Sequence, residues 1–307
     1  MRFIGNGSHR RLGPAILALL LAGLLLMQCC AMAAEADTGV IRISYKDGSY
    51  PLAGVKFSIY HVAERVAEHV YAPTGDFAEC PVENTDDLDS DELRMLTDTL
   101  TGHILKKSLK PAATATTDAN GDCAFTGLAD GLYLITGAPY SNGKTSWFCE
   151  ASLVGMPERF GARDFTIEAK SEQRDDEKID IKVMKVWKND DDHKETRTNK
   201  VDVQLFCNGN LYDTATLNKS NNWRYTWVGL DGLAEWHVVE TTKVKDYVTK
   251  ITRNEYEFVI TNTYEEEGPP PDEKLPQTGL LWWPVPVLMA AGIVLFAAGL
   301  IRRRNGE

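Results

Sequence analysis

Short stretches of alternating apolar and polar residues run along most of the chain between residues 40 and 264. Successive side chains of a strand point to opposite faces, so this period of two predicts half-buried β-strands. Gly, Asn and Asp separate the stretches, and Asn208-Gly209 is a signal for a two-residue hairpin. Many short strands joined by turns predict an all-β fold of antiparallel sandwiches. The predicted strands are residues 40–44, 54–62, 123–128, 131–135, 147–154, 164–169, 182–187, 201–206, 214–217, 223–227, 235–240, 247–251 and 257–264.

The alternation breaks twice. From residue 63 to residue 115 it gives way to a helical period, in which Ser90 is placed to cap a helix. One face of that helix would carry Leu93, Leu96, Leu100 and Ile104. Residues 171–178 are polar and charged, which predicts a linker. We therefore expect two tandem sandwiches, at 37–172 with a helix-bearing insertion and at 178–265.

The C-terminal end has a different pattern. Residues 280–300 carry no charge and are long enough to cross a hydrocarbon core of about 30 Å as a transmembrane helix. The arginines of the basic tail, 301–307, favour a cytoplasmic end. Residues 266–274 form a Pro-rich spacer, which predicts a stiff extended segment. Taken alone, this end predicts a single-pass membrane anchor.

The N-terminal end has the pattern of a secretory signal peptide. Arg2, Arg10 and Arg11 precede an apolar run at 16–27, and small residues follow at 31–33. We predict cleavage after residue 33, with 34 and 36 as alternatives. Cys29 and Cys30 raise the alternative of a lipoprotein, but no small-residue lipobox precedes them. The protein is expected to be exported.

Charge and cysteine content narrow the function. Losing both predicted ends removes six of 33 basic and one of 44 acidic residues, which leaves a net charge of −16. So acidic a chain argues against binding of nucleic acid. Cys80, Cys123 and Cys149 allow a disulfide among them in an oxidising compartment, although free buried thiols are an equal alternative. The cysteines and histidines lack metal-ligand spacing, so no metal or cofactor is predicted.

The segment before the apolar run carries the first resemblance. Leu275-Pro276-Gln277-Thr278-Gly279, the apolar run and the basic tail stand in the order of the LPXTG sorting signal of Gram-positive surface proteins. The resemblance implies that a sortase cleaves between Thr278 and Gly279 and passes the Thr278 acyl group to an amine. That amine would belong to a peptidoglycan cross-bridge or to another pilin. The chain would then be covalently anchored to the outside of the cell wall.

The second predicted sandwich resembles the Cna B-type domain of Gram-positive adhesins and pilins. The resemblance rests on Lys185-Val186-Trp187, on 203–209, on 217–223, on Trp236 to Glu240 and on 258–264. It implies an intramolecular isopeptide bond between Lys185 and Asn262, with Glu240 as the assisting carboxylate. The alternative is an exposed pair of Lys185 and Glu240, with Asn262 ending a strand.

The first predicted sandwich resembles the N-terminal module of pilin subunits, on residues 39–43, 51–57, 118–121 and 125–133. Two departures stand out: Ser44 occupies the expected lysine position, and Thr136-Gly137 replaces the expected carboxylate. We therefore expect no isopeptide bond here, and a disulfide is a candidate substitute. Lys170 lies where backbone pilins have a linking lysine, but it lacks the neighbouring tyrosine and proline. A solvated lysine is the alternative.

These features predict a non-enzymatic, wall-anchored structural or adhesive protein, with a minor or basal pilus subunit as the leading interpretation. The expected partners are a sortase, the peptidoglycan amine and other pilin subunits. A free-standing adhesin that binds a host extracellular-matrix protein is the alternative. No histidine lies near a hydrolase-type serine or cysteine motif, so an enzyme is not predicted.

Overall fold

The computed structural model describes residues 38–265, apart from 69, 83–84 and 192–193, and most of them lie in β-strands. The predicted signal peptide, the spacer, the sorting motif, the transmembrane segment and the basic tail lie outside these residues. No helix in the described part of the chain has both the length and the apolar character needed to cross a membrane.

The N-terminal half contains strands β1 to β12 in three sheets. One sheet has the order β11-β1-β2 with β6 also on β1, and another has the order β10-β7-β3-β4 with β5 also on β3. A third has the order β12-β9-β8. The strands are β1 (Gly39–Asp47), β2 (Tyr50–Pro51), β3 (Lys56–Ala67), β4 (Val70–Pro73), β5 (Ala113–Thr116), β6 (Asp122–Leu128), β7 (Gly131–Gly137), β8 (Tyr140–Ser141), β9 (Thr145–Cys149), β10 (Ser152–Met156), β11 (Asp164–Ala169) and β12 (Ser171–Asp175).

The C-terminal half contains strands β13 to β19 in two sheets, with the orders β16-β13-β19-β18 and β15-β14-β17. Their alternate residues, among them Ile181, Val203 and Ile260, build one buried core between the sheets. The predicted Asn208-Gly209 hairpin is confirmed: both residues have positive φ, as a type I′ turn requires. The strands are β13 (Lys178–Lys188), β14 (Lys200–Cys207), β15 (Asn210–Asn218), β16 (Arg224–Asp231), β17 (Trp236–Glu240), β18 (Tyr247–Asn254) and β19 (Glu257–Tyr264).

The predicted all-β class is therefore confirmed, with one difference in strand direction. In each half the first strand pairs in parallel with a late strand, β1 with β11 and β13 with β19, whereas β12, the last strand of the N-terminal half, pairs with β9. The other pairs in both halves are antiparallel, as expected. β1 and β11 therefore run side by side in one sheet, and so do β13 and β19.

A long helix, α1 (Ser90–Lys107), confirms the predicted insertion. Its N-cap is Asp89 rather than Ser90: the Asp89 carboxylate accepts from the backbone of Glu92, whose side chain accepts in return from the Asp89 N–H. Leu96, Leu100 and Ile104 are buried in a cluster with β3, β4 and β7, as the period predicts. Four short 3₁₀ turns complete the described elements: Gly75–Phe77, Thr85–Asp87, Lys194–Thr196 and Lys219–Asn221.

The predicted linker at 171–178 is wrong, because most of it is strand β12, which pairs with β9. The guanidinium of Arg174 is buried between the rings of Phe148 and Tyr256, 4.3 and 5.2 Å from their centroids. Tyr256 belongs to the C-terminal half, and the residues up to Tyr264 form one compact unit. Stacking on aromatic rings therefore buries the arginine of a segment whose sequence is typical of a solvated linker.

Candidate functional site

Strands β13 and β19 bring Lys185 and Asn262 to the same face of one sheet. In the parallel register Lys185 lies beside Ile260, and Asn262 lies beside Trp187, two residues further along each strand. Every second side chain of a strand faces the core, so both residues point between the sheets with their apolar neighbours. Lys185 is 4 % exposed and Asn262 is fully buried.

Glu240 reaches the same place from the opposite sheet, at the end of β17. Its Oε2 lies 3.3 Å from Nζ of Lys185, and both side chains are fully buried. Nδ2 of Asn262 donates to Oε1 of Glu240 over 3.2 Å. The structure therefore joins Lys185, Glu240 and Asn262, which we call the buried triad.

Burial shifts both titrating groups of the triad towards their neutral forms. The pKa of Lys185 falls from 10.5 to about 8, mainly because burial penalises the ammonium, while the charge of Glu240 opposes the shift. The pKa of Glu240 rises, again mainly through burial and against the attraction of Lys185. Together these shifts lower the free energy needed to move a proton from Lys185 to Glu240.

The hydrogen bonds of the triad are incomplete in a way that bears on chemistry. The Lys185–Glu240 contact lacks hydrogen-bond geometry, and Oδ1 of Asn262 accepts no hydrogen bond. A buried acceptor without a donor is costly. A half-turn of the amide would put Oδ1 in the place of Nδ2, where a protonated Glu240 would donate to it. The amide carbonyl would then be polarised for attack by a neutral amine.

A cluster of aromatic and charged side chains closes the triad on the Lys185 side. The Trp187 ring centroid lies 4.5 Å from Nζ of Lys185, and the ring packs edge-on against Trp223 and Tyr247. The hydroxyl of Tyr247 donates to Oδ2 of Asp190 over 2.8 Å, and Arg197 pairs with the same carboxylate. The sequence alone did not indicate this cluster, because Asp190 stands in a charged stretch of the sequence and yet is 2 % exposed.

The described residues of the N-terminal half hold no such triad at the corresponding positions. In its β1–β11 register, Ile41 lies beside Phe165 and Ile43 lies beside Ile167. In the C-terminal half, Val183 lies beside Phe258 and Lys185 lies beside Ile260, so the two registers correspond pair by pair. The counterpart of Lys185 is therefore Ile43, and the predicted position, Ser44, is wrong by one residue.

The same matching gives the other two counterparts. Ala169 stands in place of Asn262, since it follows Ile167 as Asn262 follows Ile260. Gly137 of β7 pairs with Phe57 of β3, just as Glu240 of β17 pairs with Val203 of β14. Gly137 is therefore the counterpart of Glu240. A Cβ on Gly137 would lie 2.8 Å from Cβ of Cys149 and 2.9 Å from the Phe57 ring. Isoleucine, glycine and alanine cannot form an isopeptide bond.

The remaining candidate residues lie apart from the triad. Lys170 is exposed between β11 and β12, and its carbonyl accepts from the backbone of Glu150. The described cysteines are free thiols. Cys80 packs in the α1 cluster, away from the sandwich core that Cys123 and Cys149 contact. The structure thus gives no support to the hypothesis of a disulfide among them.

Burial also affects the reactivity of the thiols. It raises the pKa of Cys80 to about 11 and that of Cys149 to about 12, which disfavours the reactive thiolate. Among the described residues, no group of three or more His, Cys, Asp or Glu is arranged to hold a metal ion.

Comparison with known proteins gives a family match to the part of the chain that holds the triad. Residues 181–263 match the family model of the Cna protein B-type domain. A collagen adhesin of Staphylococcus aureus is 37 % identical over 92 residues, which is 28 % of this chain. The chain spans only 8 % of the length of that relative.

Similar solved structures are more distant in sequence. A single B repeat unit of the collagen-binding protein Cna of Staphylococcus aureus is 17 % identical, with a TM-score of 0.28, and the match covers 74 % of this chain and 97 % of that one. The minor pilin GBS52 of Streptococcus agalactiae is 16 % identical, with a TM-score of 0.26, over 76 % and 99 % of the two chains. Lys185, Glu240 and Asn262 all lie within the segment that matches the Cna protein B-type domain.

Proposed function

We propose that this protein is a surface structural or adhesive protein whose C-terminal half is held by an isopeptide bond between Lys185 and Asn262. The buried triad is the observation that carries the proposal. A lysine, a carboxylate and an amide are enclosed together, and burial favours the neutral amine and the protonated acid that the reaction needs.

The reaction conserves atoms and needs no cofactor. The neutral Nζ of Lys185 attacks Cγ of Asn262, and Glu240 donates a proton towards the amide. The new C–N bond forms, the bond from Cγ to Nδ2 breaks, and ammonia leaves with the proton that the amine gave up. The process happens once per chain, so it strengthens the protein without making it an enzyme.

Bond formation is tested by the intact mass of the purified chain, which should fall by the mass of one ammonia. Proteolysis should then give one peptide pair that joins Lys185 to Asn262. Asn262→Ala should keep the full calculated mass, while Asn254→Ala, at an exposed asparagine on β18, should still lose ammonia. Retention of the full mass by the unsubstituted chain would refute the bond.

We further propose that the chain is exported and joined to the cell wall through Thr278, by a sortase that reads residues 275–279. The support is the order of motif, apolar run and basic tail in the sequence, together with the acidic exported portion. Wall-released protein should end at Thr278 in amide linkage to a peptidoglycan amine. Thr278→Ala should appear in the culture medium or the membrane instead.

Within that role, a minor or basal pilus subunit is our leading proposal, with two tandem sandwiches at 37–172 and 178–265. The collagen adhesin relative favours a second candidate, a free-standing adhesin for a host matrix protein. Denaturing gels of wall extracts separate the two. A pilus subunit gives a ladder of covalent multimers, whereas a free-standing adhesin gives one band. Loss of that ladder in Lys170→Ala would assign Lys170 as the linking lysine.

A further inference from the structure

A cleft of about 220 Å³ lies between α1 and strands β17 and β18, next to the buried triad. Thr99, Gly102 and Lys106 of the helix form one wall. Val239 and Glu240 are on the other side. The cleft therefore brings the N-terminal half to the carboxylate that assists the proposed bond.

One face of α1 is fitted against the C-terminal half. Residues three and four apart share a helix face, so Thr99, Gly102 and Lys106 lie in one row. Oγ1 of Thr99 accepts from the backbone N–H of Ile251 over 3.0 Å. A Cβ on Gly102 would lie 2.8 Å from Cδ1 of Ile251, so the missing side chain lets the helix come close.

This contact fixes where the next turn of the helix points. Lys106 follows Gly102 by four residues and lines the same cleft as Glu240. Partial desolvation lowers the pKa of Lys106, and Glu240 opposes that shift because it favours the ammonium; the charge of Lys106 in turn opposes the rise that burial causes in the pKa of Glu240. Lys106 itself is exposed, so its charge acts through a cleft that is open to solvent.

We propose that α1 is a working part of the bond-forming site, and that Lys106 is a positioning residue whose charge controls the proton on Glu240 across the cleft. This inference rests on the proposed Lys185–Asn262 bond. It assigns to the N-terminal half a part in the chemistry of the C-terminal half.

Other charged groups face the same site and enter the pH dependence. Lys185 of β13 is the direct partner of Glu240, and Asp190 acts on Lys185 from the following loop. Titratable groups on the cleft wall are Glu79, Cys80, His103, Lys243 and Tyr247. Lys107, the neighbour of Lys106, is exposed and does not line the cleft.

The expected effect has a definite sign. The reactive state holds one proton for the pair of Lys185 and Glu240, with the amine neutral and the acid protonated. The rate should therefore be bell-shaped in pH, since gain of a second proton or loss of the only one stops the reaction. A positive charge at Lys106 disfavours protonation, so it moves the bell to lower pH. Removing that charge should move the bell to higher pH.

The test follows ammonia loss by intact mass in the full chain, made in a short cell-free pulse and then chased at a series of pH values around the Lys185 pKa of about 8. Lys106→Met should shift the profile upwards by about half a pH unit, the size expected of one charge acting through solvent-screened space. Lys106→Arg should restore the profile of the unsubstituted chain. Lys107→Met is the matched control and should leave the profile unchanged.

The outcomes separate this inference from the bond itself. If the unsubstituted chain never loses ammonia, the bond proposal fails. If it does lose ammonia but Lys106→Met follows the same profile, or Lys107→Met shifts it equally, the role of Lys106 is overturned. A structural effect alone would change the rate at every pH without moving the optimum, and that result also counts against the inference.

Discussion

The two halves of this protein place different residues at the same three inward positions of a similar strand arrangement. The C-terminal half has Lys185, Glu240 and Asn262, whereas the N-terminal half has Ile43, Gly137 and Ala169. In both, the first strand runs parallel to a late strand, β11 or β19, and antiparallel to another strand. The strand arrangement therefore does not determine the chemistry.

The difference also shows what each half needs around those positions. In the N-terminal half, Cys149 and Phe57 fill the space beside Gly137 that a larger side chain would need. In the C-terminal half, the aromatic ring of Trp187 and the hydrogen-bonded side chains of Asp190, Arg197 and Tyr247 enclose the triad. A reactive triad requires this enclosure as well as its three members, because burial is what shifts their pKa values.

The largest expected effect comes from placing a lysine in the N-terminal half. Ile43→Lys would bury an ammonium at the position that corresponds to Lys185, and Gly137, at the position of Glu240, offers no carboxylate to pair with it. An unpaired buried charge costs about 3–5 kcal/mol or more, so most of the chain should unfold or melt far earlier. Thermal unfolding followed by circular dichroism measures the change.

Ile43→Val is the matched control, since it removes one methylene from the same 1 % exposed position and should cost about 1 kcal/mol. A stable Ile43→Lys chain would contradict the view that the N-terminal half lacks a place for this lysine. Loss of a second ammonia, beyond the one that the Lys185–Asn262 bond releases, would contradict that view as well.

The next effect comes from removing the lysine of the C-terminal half. Lys185→Met should abolish the proposed bond, which closes the chain between β13 and β19. By analogy with other covalent cross-links, its loss should lower the free energy of unfolding by about 2–5 kcal/mol. The urea concentration at the midpoint of unfolding measures the change in stability of the purified variant, and its intact mass shows whether the bond has formed.

Lys182→Met is the control on the same strand. Lys182 is exposed and pairs with Glu257 over 2.8 Å at the surface, where solvent screens the contact and it contributes little to stability. Equal midpoints for Lys185→Met and Lys182→Met would mean that no cross-link stabilises this half.

Much of this comparison could be predicted from the sequence, because the strand period and the site residues are local patterns. The strands at Asp164–Ala169 and Glu257–Tyr264 have the predicted bounds, and the structure brings the three predicted site residues together. The counterpart of Lys185 was wrong by one residue. Ile43, Ser44 and Tyr45 are all buried, so the alternation that sets the register is hidden there.

The contacts between the halves could not be predicted, because they depend on tertiary packing. Arg174 looked like part of a charged linker, and only the rings of Phe148 and Tyr256 explain its burial. The α1 pattern predicted one apolar face, yet Thr99 and Gly102 form a second face against β18. Small and polar residues on a helix give no periodic signal for such a contact.

A smaller effect concerns the pH dependence of the triad when it cannot react. In Asn262→Ala, Lys185 remains an amine with a folded pKa of about 8, below its usual 10.5. Between these values the unfolded chain binds more protons than the folded one, so stability should rise as pH increases from 8 to 10.5. Below pH 8 both states hold the proton, and the full penalty is present.

Urea unfolding of Asn262→Ala across this range measures the slope. The double variant Lys185→Met with Asn262→Ala has no titrating amine at that position, so it should lack the increase. A flat profile in Asn262→Ala itself would show that Lys185 is not destabilised by burial.

The smallest effect concerns the contact that α1 makes with the edge of the C-terminal half. Thr99→Val keeps the shape of the side chain but removes the acceptor for the backbone N–H of Ile251. A buried N–H without a partner costs about 1–3 kcal/mol, part of which a local opening can recover. Amide exchange at Ile251 should therefore become faster than in the unsubstituted chain.

Thr101→Val, on another face of α1, is the control and should leave the exchange rate of Ile251 unchanged. Equal exchange in all three chains would mean that the helix does not protect β18, and that the two halves meet without depending on this hydrogen bond.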